Sequence, residues 1–262
     1  MAVTAAGTVN CLFRIGRHHY ARFPRTAEYE ASLLAETHWL GKIVNRLAIA
    51  TPVVVHLGKP DETYSLHWAI YRWIEGENFD PETDGRDPAN AAMLAAAVAE
   101  LQAIPTTGEL LSRRCDKPHS KDWTIEPAIN FVSNDYDAEK LRTLWQFFYG
   151  LPGFDGATVW THGDLIPPNL LSTGDGLTAV IDWGSLGEGD PAIDYIPAFT
   201  LFRGAAQHCF RESLAICEAD WQRARAYAFR QALRIIPYYH ESHPAFTQMA
   251  YATLDETLGD GF

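Results

Sequence analysis

The segment THGDLIPPNL, residues 161–170, sets a histidine, an aspartate and an asparagine among apolar residues and two prolines. Proline fixes φ and restricts its predecessor, so Pro167 and Pro168 predict an extended, pre-set loop and not a helix. Asp164 and Asn169 stand five residues apart on it. Downstream, LTAVIDWG at 177–184 is an apolar run ending in Asp182, which predicts a carboxylate at the mouth of a buried strand. A buried carboxylate is expensive unless it is paired, hydrogen-bonded or on a metal. Alone, Asp182 reads as a turn aspartate bonded to nearby backbone N–H groups. With Asp164 and Asn169 it reads otherwise. Asp-x-x-x-x-Asn, a β-hairpin around the turn TGDG and a strand-end aspartate form the arrangement that phosphoryl transfer requires.

The chemistry explains the residue types. Catalysis of phosphoryl transfer is positioning plus charge neutralisation. One carboxylate must orient the acceptor hydroxyl and take its proton, the role assigned to Asp164. Magnesium prefers hard oxygen ligands and keeps several waters, which suits the Asn169 carbonyl and the Asp182 carboxylate. His162 reads as a structural histidine that fixes the loop, with catalytic base or metal ligand as the sharper alternative. Asp190 and Asp194, in GDPAID, are expected to brace the loop or cap the next helix, for which Pro191 suits the first turn.

Working outward, residues 9–15 and 18–23 predict a hairpin about Gly16, and Thr26 is a candidate cap for a helix over 27–47. That helix carries an apolar stripe, Leu33, Leu40, Ile43 and Leu47, interrupted by Glu36. A charge on an inward face calls for an opposite charge, and Arg22 at the end of HHYARF is the natural partner, with reach to the α- and β-phosphates. A water-facing Glu36 and a surface Arg22 are the plainer reading of either residue alone. Strands are predicted at 51–57 and 65–73, a connector at Gly76, and helices over 89–103, capped by Asp87-Pro88, and 137–149. Residues 105–136 carry no clear pattern. A short strand at 157–160 and two more at 169–172 and 177–181 are followed, from 191 onward, almost entirely by helix.

The 262 residues are 47% hydrophobic and 21% charged, an ordinary globular balance, with net charge -12. That charge disfavours nucleic acid, which needs clustered lysine and arginine. It admits a cationic substrate but serves solubility equally well. Cys11, Cys115, Cys209 and Cys217 show no metal-ligand spacing and read as free thiols of a reducing cytoplasm. The N-terminus lacks a basic start and a long apolar core, and AAMLAAAVAELQAI is too short to span a bilayer. The expectation is a cytoplasmic protein with no membrane partner. Its oligomeric state is not written in the sequence.

HGDLIPPNLL, IDWGSLGEGDPAID and RFPRTAEYEASLLAETHWL resemble the aminoglycoside phosphotransferases and their macrolide- and choline-kinase relatives, from about residue 7 to the C-terminus. The resemblance implies an α+β, two-lobed protein-kinase-like fold. Its N-terminal nucleotide-binding lobe, residues 1–75, has a small antiparallel sheet plus a helix; residues 76–262 form a mostly helical lobe with the catalytic loop and acceptor site. It also implies Asp164 as catalytic base, Asn169 and Asp182 on magnesium, and Arg22 and Glu36 in the strand-lysine and helix-glutamate places. Backbone groups of Tyr71, Arg72, Trp73 and Ile74 would meet the adenine of ATP, with GTP also open. The acceptor would be a small-molecule hydroxyl, an aminoglycoside or macrolide antibiotic among the candidates. Two departures stand out. Only six residues precede Gly7, so the first strand and the nucleotide loop at Gly7–Asn10 are expected to be curtailed. Gln102 also replaces a histidine of the relatives.

Competing readings are a non-catalytic nucleotide-binding module, suggested by the short start, and a kinase of a metabolite such as an amino alcohol or sugar. A hydrolase with a metal on His162, Asp164, Asp182 and Asp190 is disfavoured, because such sites recruit several histidines. The acceptor site is expected from 105–136 and the helices after 191. Tyr195, Phe199, Phe202, Trp221, Tyr238 and Tyr239 there read as core. Glu212, Glu218, Asp220 and Glu241 read as amine receivers or as a solvated face.

Overall fold

Gly16, at φ +59°, sits in the left-handed region that glycine enters without a Cβ clash, and it turns β2 (Asn10–Ile15) back on β3 (His19–Pro24). The computed structural model describes residues 10–43, 46–112 and 123–259, together with the backbone of residues 3–6. With β1 (Val3–Ala6), β4 (Val54–Gly58) and β5 (Trp68–Arg72) the hairpin forms an antiparallel sheet of order β1-β2-β3-β5-β4. β1 pairs with β2 from Val3 opposite Phe13 to Ala6 opposite Cys11. The first strand, expected to be curtailed, is four residues long. The expected nucleotide loop falls largely on residues 7–9, outside the described residues.

α1 (Ala27–Ile43) lies against β3, β4 and β5, with Glu28 and Glu30 in its first turn and Lys42 in its last, as the helix dipole favours. Its buried face is Leu33, Glu36, Trp39, Leu40 and Ile43. After β6 (Glu77–Asn78), α2 (Pro88–Gln102) starts at Asp87, whose carboxylate accepts the Ala89 amide at 2.9 Å. α3 (Ile125–Phe131) stands in the stretch that showed no pattern; α4 (Ala138–Tyr149) is capped by Asp137.

β7 (Val159–Thr161) enters the loop that carries Asp164, and β8 (Leu170–Thr173) and β9 (Gly176–Val180) form the expected hairpin. The loop is not extended throughout. Ile166 is extended, as the residue before a proline should be, but Pro167–Asn169 close a 3₁₀ turn. Proline's fixed φ suits the first position of such a turn as well as an extended loop, so the expected shape is corrected here. A short strand absent from the expectations, β10 (Gly187–Gly189), pairs antiparallel with β7. Beyond a 3₁₀ turn at Pro191–Tyr195 come α5 (Pro197–Thr200), α6 (Ala205–Ser213), α7 (Glu218–Tyr239) and α8 (Pro244–Leu258).

One buried cluster runs from Leu33, Leu40 and Tyr71 on the sheet side to Leu94, Trp160 and Phe202 on the helical side. A second packs α3, α4, α7 and α8 through Ile129, Phe148, Phe229 and Leu254. Tyr195, Phe199 and Phe202 are core, as expected. Among the described residues no helix is long and apolar enough to cross a membrane.

Candidate active site

Glu36 is 1% exposed in the middle of α1, and Arg22 is 6% exposed on β3 between Leu12 and Ala69. Arg22 Nη1 donates to both Glu36 oxygens, at 2.9 and 2.8 Å. Its other terminal nitrogen donates to Asp182 Oδ1 at 3.1 Å, so one guanidinium joins sheet, helix and the end of the β8–β9 hairpin. Burial pushes the Glu36 carboxyl up, against the pull of Arg22. Burial also pushes Asp182 up, but the Arg22 guanidinium, aided by the Gly184 amide, outweighs it and holds that carboxyl below its ordinary value. Asp182 is therefore an anion near neutral pH. Its side chain keeps 41% exposure, and its backbone sits at φ +58°. That conformation is uncommon for a non-glycine residue and aims the chain sharply out of β9.

The Asp164 loop is held from within. Asn169 Nδ2 donates to the Asp164 carbonyl at 2.9 Å and to its Oδ2 at 3.2 Å, while the Ile181 amide donates to the Asn169 carbonyl at 2.8 Å. That orientation of the amide leaves Asn169 Oδ1, the hard oxygen, clear of Asp164. His162 uses both ring nitrogens structurally. Nδ1 accepts the Asp164 amide at 3.2 Å, which puts the proton on Nε2, 3.2 Å from the Ile181 carbonyl. The ring rests edge-on against Trp183. Asp194, fully buried, accepts the His162 amide at 2.6 Å and the Gly163 amide at 2.8 Å. Asp190 caps the following turn through Ala192 and accepts two bonds from Arg223, at 2.9 and 3.3 Å.

Arg22, Asp164 and Asp182 line one cleft of about 1120 Å³, open between the sheet and the helical part. Asn169, 7% exposed, stands behind Asp164. Among the described residues no three His, Cys, Asp or Glu side chains gather around a common point. The hydrolase ligand set is thus not assembled: His162 is spent on the loop and Asp190 on Arg223. An asparagine oxygen and one open carboxylate do fit magnesium, which commonly takes one or two carboxylates plus water and substrate oxygens. Tyr71–Ile74 are placed apart from the cleft lining. The Tyr71 ring stacks on Tyr20 with centroids 5.2 Å apart, and Trp73 meets Tyr20 edge-on under the Arg14 guanidinium. The Arg72 amide donates to Val53 and the Trp73 amide to His18. Gln102 accepts the Tyr195 hydroxyl at 3.1 Å, a packing role.

The opposite wall comes from the stretches expected to build the acceptor site, 105–136 and the helices after 191, but apart from Tyr238 and Tyr239 its residues were not singled out in the sequence. Tyr227, Arg230, Gln231, Arg234 and Tyr238 of α7 line the cleft, as do Trp123 and Phe131. Their i, i+3, i+4, i+7 spacing marks one face of a helix, but nothing local says that the face meets a cleft. Tyr238 and Tyr239 belong to this wall and not to the core. Of the acidic residues read as amine receivers or as a solvated face, Glu212 pairs with His208, Glu218 with Arg211 and Asp220 with Arg223; none of them lines the cleft, and neither does Glu241, which favours the second reading.

A small sheet and its helix set over an aspartate loop in a helical lobe define a kinase-like phosphotransferase. The model of the family described as "Phosphotransferase enzyme family" matches residues 10–227, and the chain belongs to that family. Among solved structures, the GDP and kanamycin complex of APH(2")-IIia superposes with a TM-score of 0.75 at 18% identity, covering 100% of this chain and 93% of that one. The streptomycin–ATP ternary complex of APH(2")-IIa gives 0.65 at 17%, covering 92% and 85%. The macrolide 2'-phosphotransferase MphH apoenzyme from Brachybacterium faecium gives 0.65 at 19%, covering 95% and 89%. At these identities the likeness is one of fold. Comparison with curated protein sequences gave no match.

Proposed function

We propose that the chain transfers the γ-phosphoryl group of ATP, with GTP as an alternative donor, to a hydroxyl of a small molecule. The observation that carries the reading is one cleft lined by Asp164, Asp182 and Arg22, with Asn169 bonded to the first and Glu36 to the last. Asp164 orients the acceptor hydroxyl and takes its proton as the oxygen attacks the γ-phosphorus; the bridging P–O bond breaks and the nucleoside diphosphate leaves. Asn169 and Asp182 would hold magnesium, which when bound neutralises phosphate charge. Arg22, kept in place by Glu36, lies at the phosphate end. The base would meet the backbone at Tyr71–Ile74; the Arg72 and Trp73 amides are already engaged, so the Ile74 amide and nearby carbonyls are the groups on offer. His162, Asp190 and Asp194 support the loop and touch no substrate.

The named structural neighbours bring aminoglycosides and macrolides forward as acceptors to test, beside amino alcohols and sugars. Asp164→Asn removes the base while keeping size and hydrogen bonding. In a coupled ADP-release assay its kcat should fall by about 10²–10⁴, with ATP affinity by calorimetry within about twofold of the parent. Undiminished turnover would remove Asp164 from the mechanism. ATP binding without turnover on any acceptor, the same for both proteins, would instead describe a nucleotide-binding module.

A further inference from the structure

Asn10 of β2 is 6% exposed, lines the cleft and leaves its Oδ1 buried without a hydrogen-bond partner. Among the described residues nothing bonds its Nδ2 either. The other buried asparagines behave differently. Asn90 accepts the Leu177 amide at 2.7 Å and donates to the Asp84 carbonyl at 3.0 Å, and Asn169 donates twice to Asp164. A buried amide without partners costs stability, whereas a leucine of much the same shape leaves no polar group unpaired. Trp73 Nε1, Gln102 Nε2 and Gln222 Oε1 are also buried without partners, but those residues stand off the cleft.

Position says what this amide can meet. Leu12 lies opposite Arg22 and Asn10 opposite Pro24, so Asn10 and Arg22 share the face of the sheet turned towards α1. As diagonal neighbours they stand about 7–8 Å apart. β3 leads away from the segment proposed for the base. His19 and Tyr20 pair with Arg72 and Tyr71, Arg22 follows, and Pro24 beside Asn10 comes last. A nucleotide laid along that line, with its base at Tyr71–Ile74, passes Arg22 first and ends at Asn10. A carboxamide offers two N–H donors and no charge, which complements an anionic oxygen. With no protein partner to fix it, the amide takes the orientation that its ligand sets.

We propose that Asn10 reads the terminal phosphate, its amide donating to a γ-oxygen, so that the cleft tells a nucleoside triphosphate from a diphosphate. The cost of the unpaired amide is offset when the triphosphate binds and returns when the diphosphate is left. The proposal rests on the phosphotransferase reading and adds to it the side chain that senses the group to be transferred.

The test uses the full chain with magnesium, titrated by calorimetry with ADP and with the nonhydrolysable β,γ-imido analogue of ATP. Asn10→Leu should weaken the analogue at least about tenfold and leave ADP within about twofold of the parent. Asn10→Asp sets a carboxylate against the phosphate and should weaken the analogue further, by about a hundredfold, again sparing ADP. In urea and without nucleotide, Asn10→Leu should unfold at a midpoint no lower than the parent's, because no bond is lost. Equal loss for both nucleotides in a variant that still unfolds cooperatively, or loss for neither, would overturn the proposal. So would a lower urea midpoint with nucleotide binding unchanged, which would make the amide a support of the fold. Failure of the phosphotransferase reading looks different: the variants lose the analogue selectively, but the parent releases no ADP from ATP with kanamycin, macrolides, amino alcohols or sugars as acceptors.

Discussion

Asp194 accepts the His162 and Gly163 amides on separate oxygens, at 2.6 and 2.8 Å, so a single carboxylate fixes the backbone just before Asp164. Burial pushes this carboxyl up to about 7 from its ordinary 3.8, against the two amides, which pull it down. A raised folded pKa means that the native chain binds the extra proton where the unfolded chain has released it. The contribution to stability is then full below about pH 4 and is lost as pH rises through about 7. Asp194→Asn cannot titrate. The unfolding free energy of the parent minus that of the variant should therefore fall across that window, by at most about 1.4 kcal/mol per pH unit, in urea denaturation. A flat difference would mean that the amides keep Asp194 ionised throughout. At this scale the sequence was informative where a residue broke a local pattern: Glu36 in an apolar stripe called for Arg22. Arg22 to Asp182, 160 positions apart, and Asp190 to Arg223, 33 apart, leave no local trace.

β10 shows what pairing adds at the scale of elements. GEG has little strand propensity, and it becomes a strand because β7 lies beside it and Glu188 is buried beneath the 107–112 segment. Glu188 Oε1 takes the Thr107 amide and hydroxyl at 2.8 Å, and Oε2 takes the Gly108 amide at 2.8 Å. Glu188→Ala would leave those donors without their acceptor, a loss of about 1–3 kcal/mol in denaturant unfolding. It should also loosen Leu110 and Leu111, so acceptor KM should rise more than kcat falls. An unchanged KM would detach this strand from the cleft wall. The long amphipathic helices and the Gly16 hairpin were legible because their periods repeat. α3 was not: seven residues with Pro127 inside give barely two turns of signal. The Pro167–Asn169 turn was misread because proline's φ serves a 3₁₀ turn as well as an extended loop.

The change of character near Gly76 suggested two lobes, yet the apolar interior continues across that point. Trp39 of α1 meets Trp160 of β7 at 4.8 Å between ring centroids, both nearly fully buried. Ala50 lies beside Ala179 of β9, its amide donating to the Thr178 carbonyl at 3.2 Å and its carbonyl accepting the Val180 amide at 3.0 Å. Side chains that share one buried cluster unfold together more readily than lobes joined by a linker alone, even above the size where single transitions are usual. Far-ultraviolet circular dichroism, which weighs the helical part, and tryptophan fluorescence, which follows Trp39 and Trp160 among others, should then give coincident urea transitions. Trp39→Ala opens a cavity at this junction and should cost about 3–5 kcal/mol. If the junction couples the lobes, both probes shift to lower urea by the same amount. If it does not, the variant's curves separate, the sheet melting first while the helical part, with its own cluster around Phe229 and Leu254, keeps the parent midpoint. The outcome bears on the reaction, because Arg22 and Glu36 stand on one side of that junction and Asp164 and Asn169 on the other. Only a joint that holds can keep the guanidinium within bonding distance of Asp182.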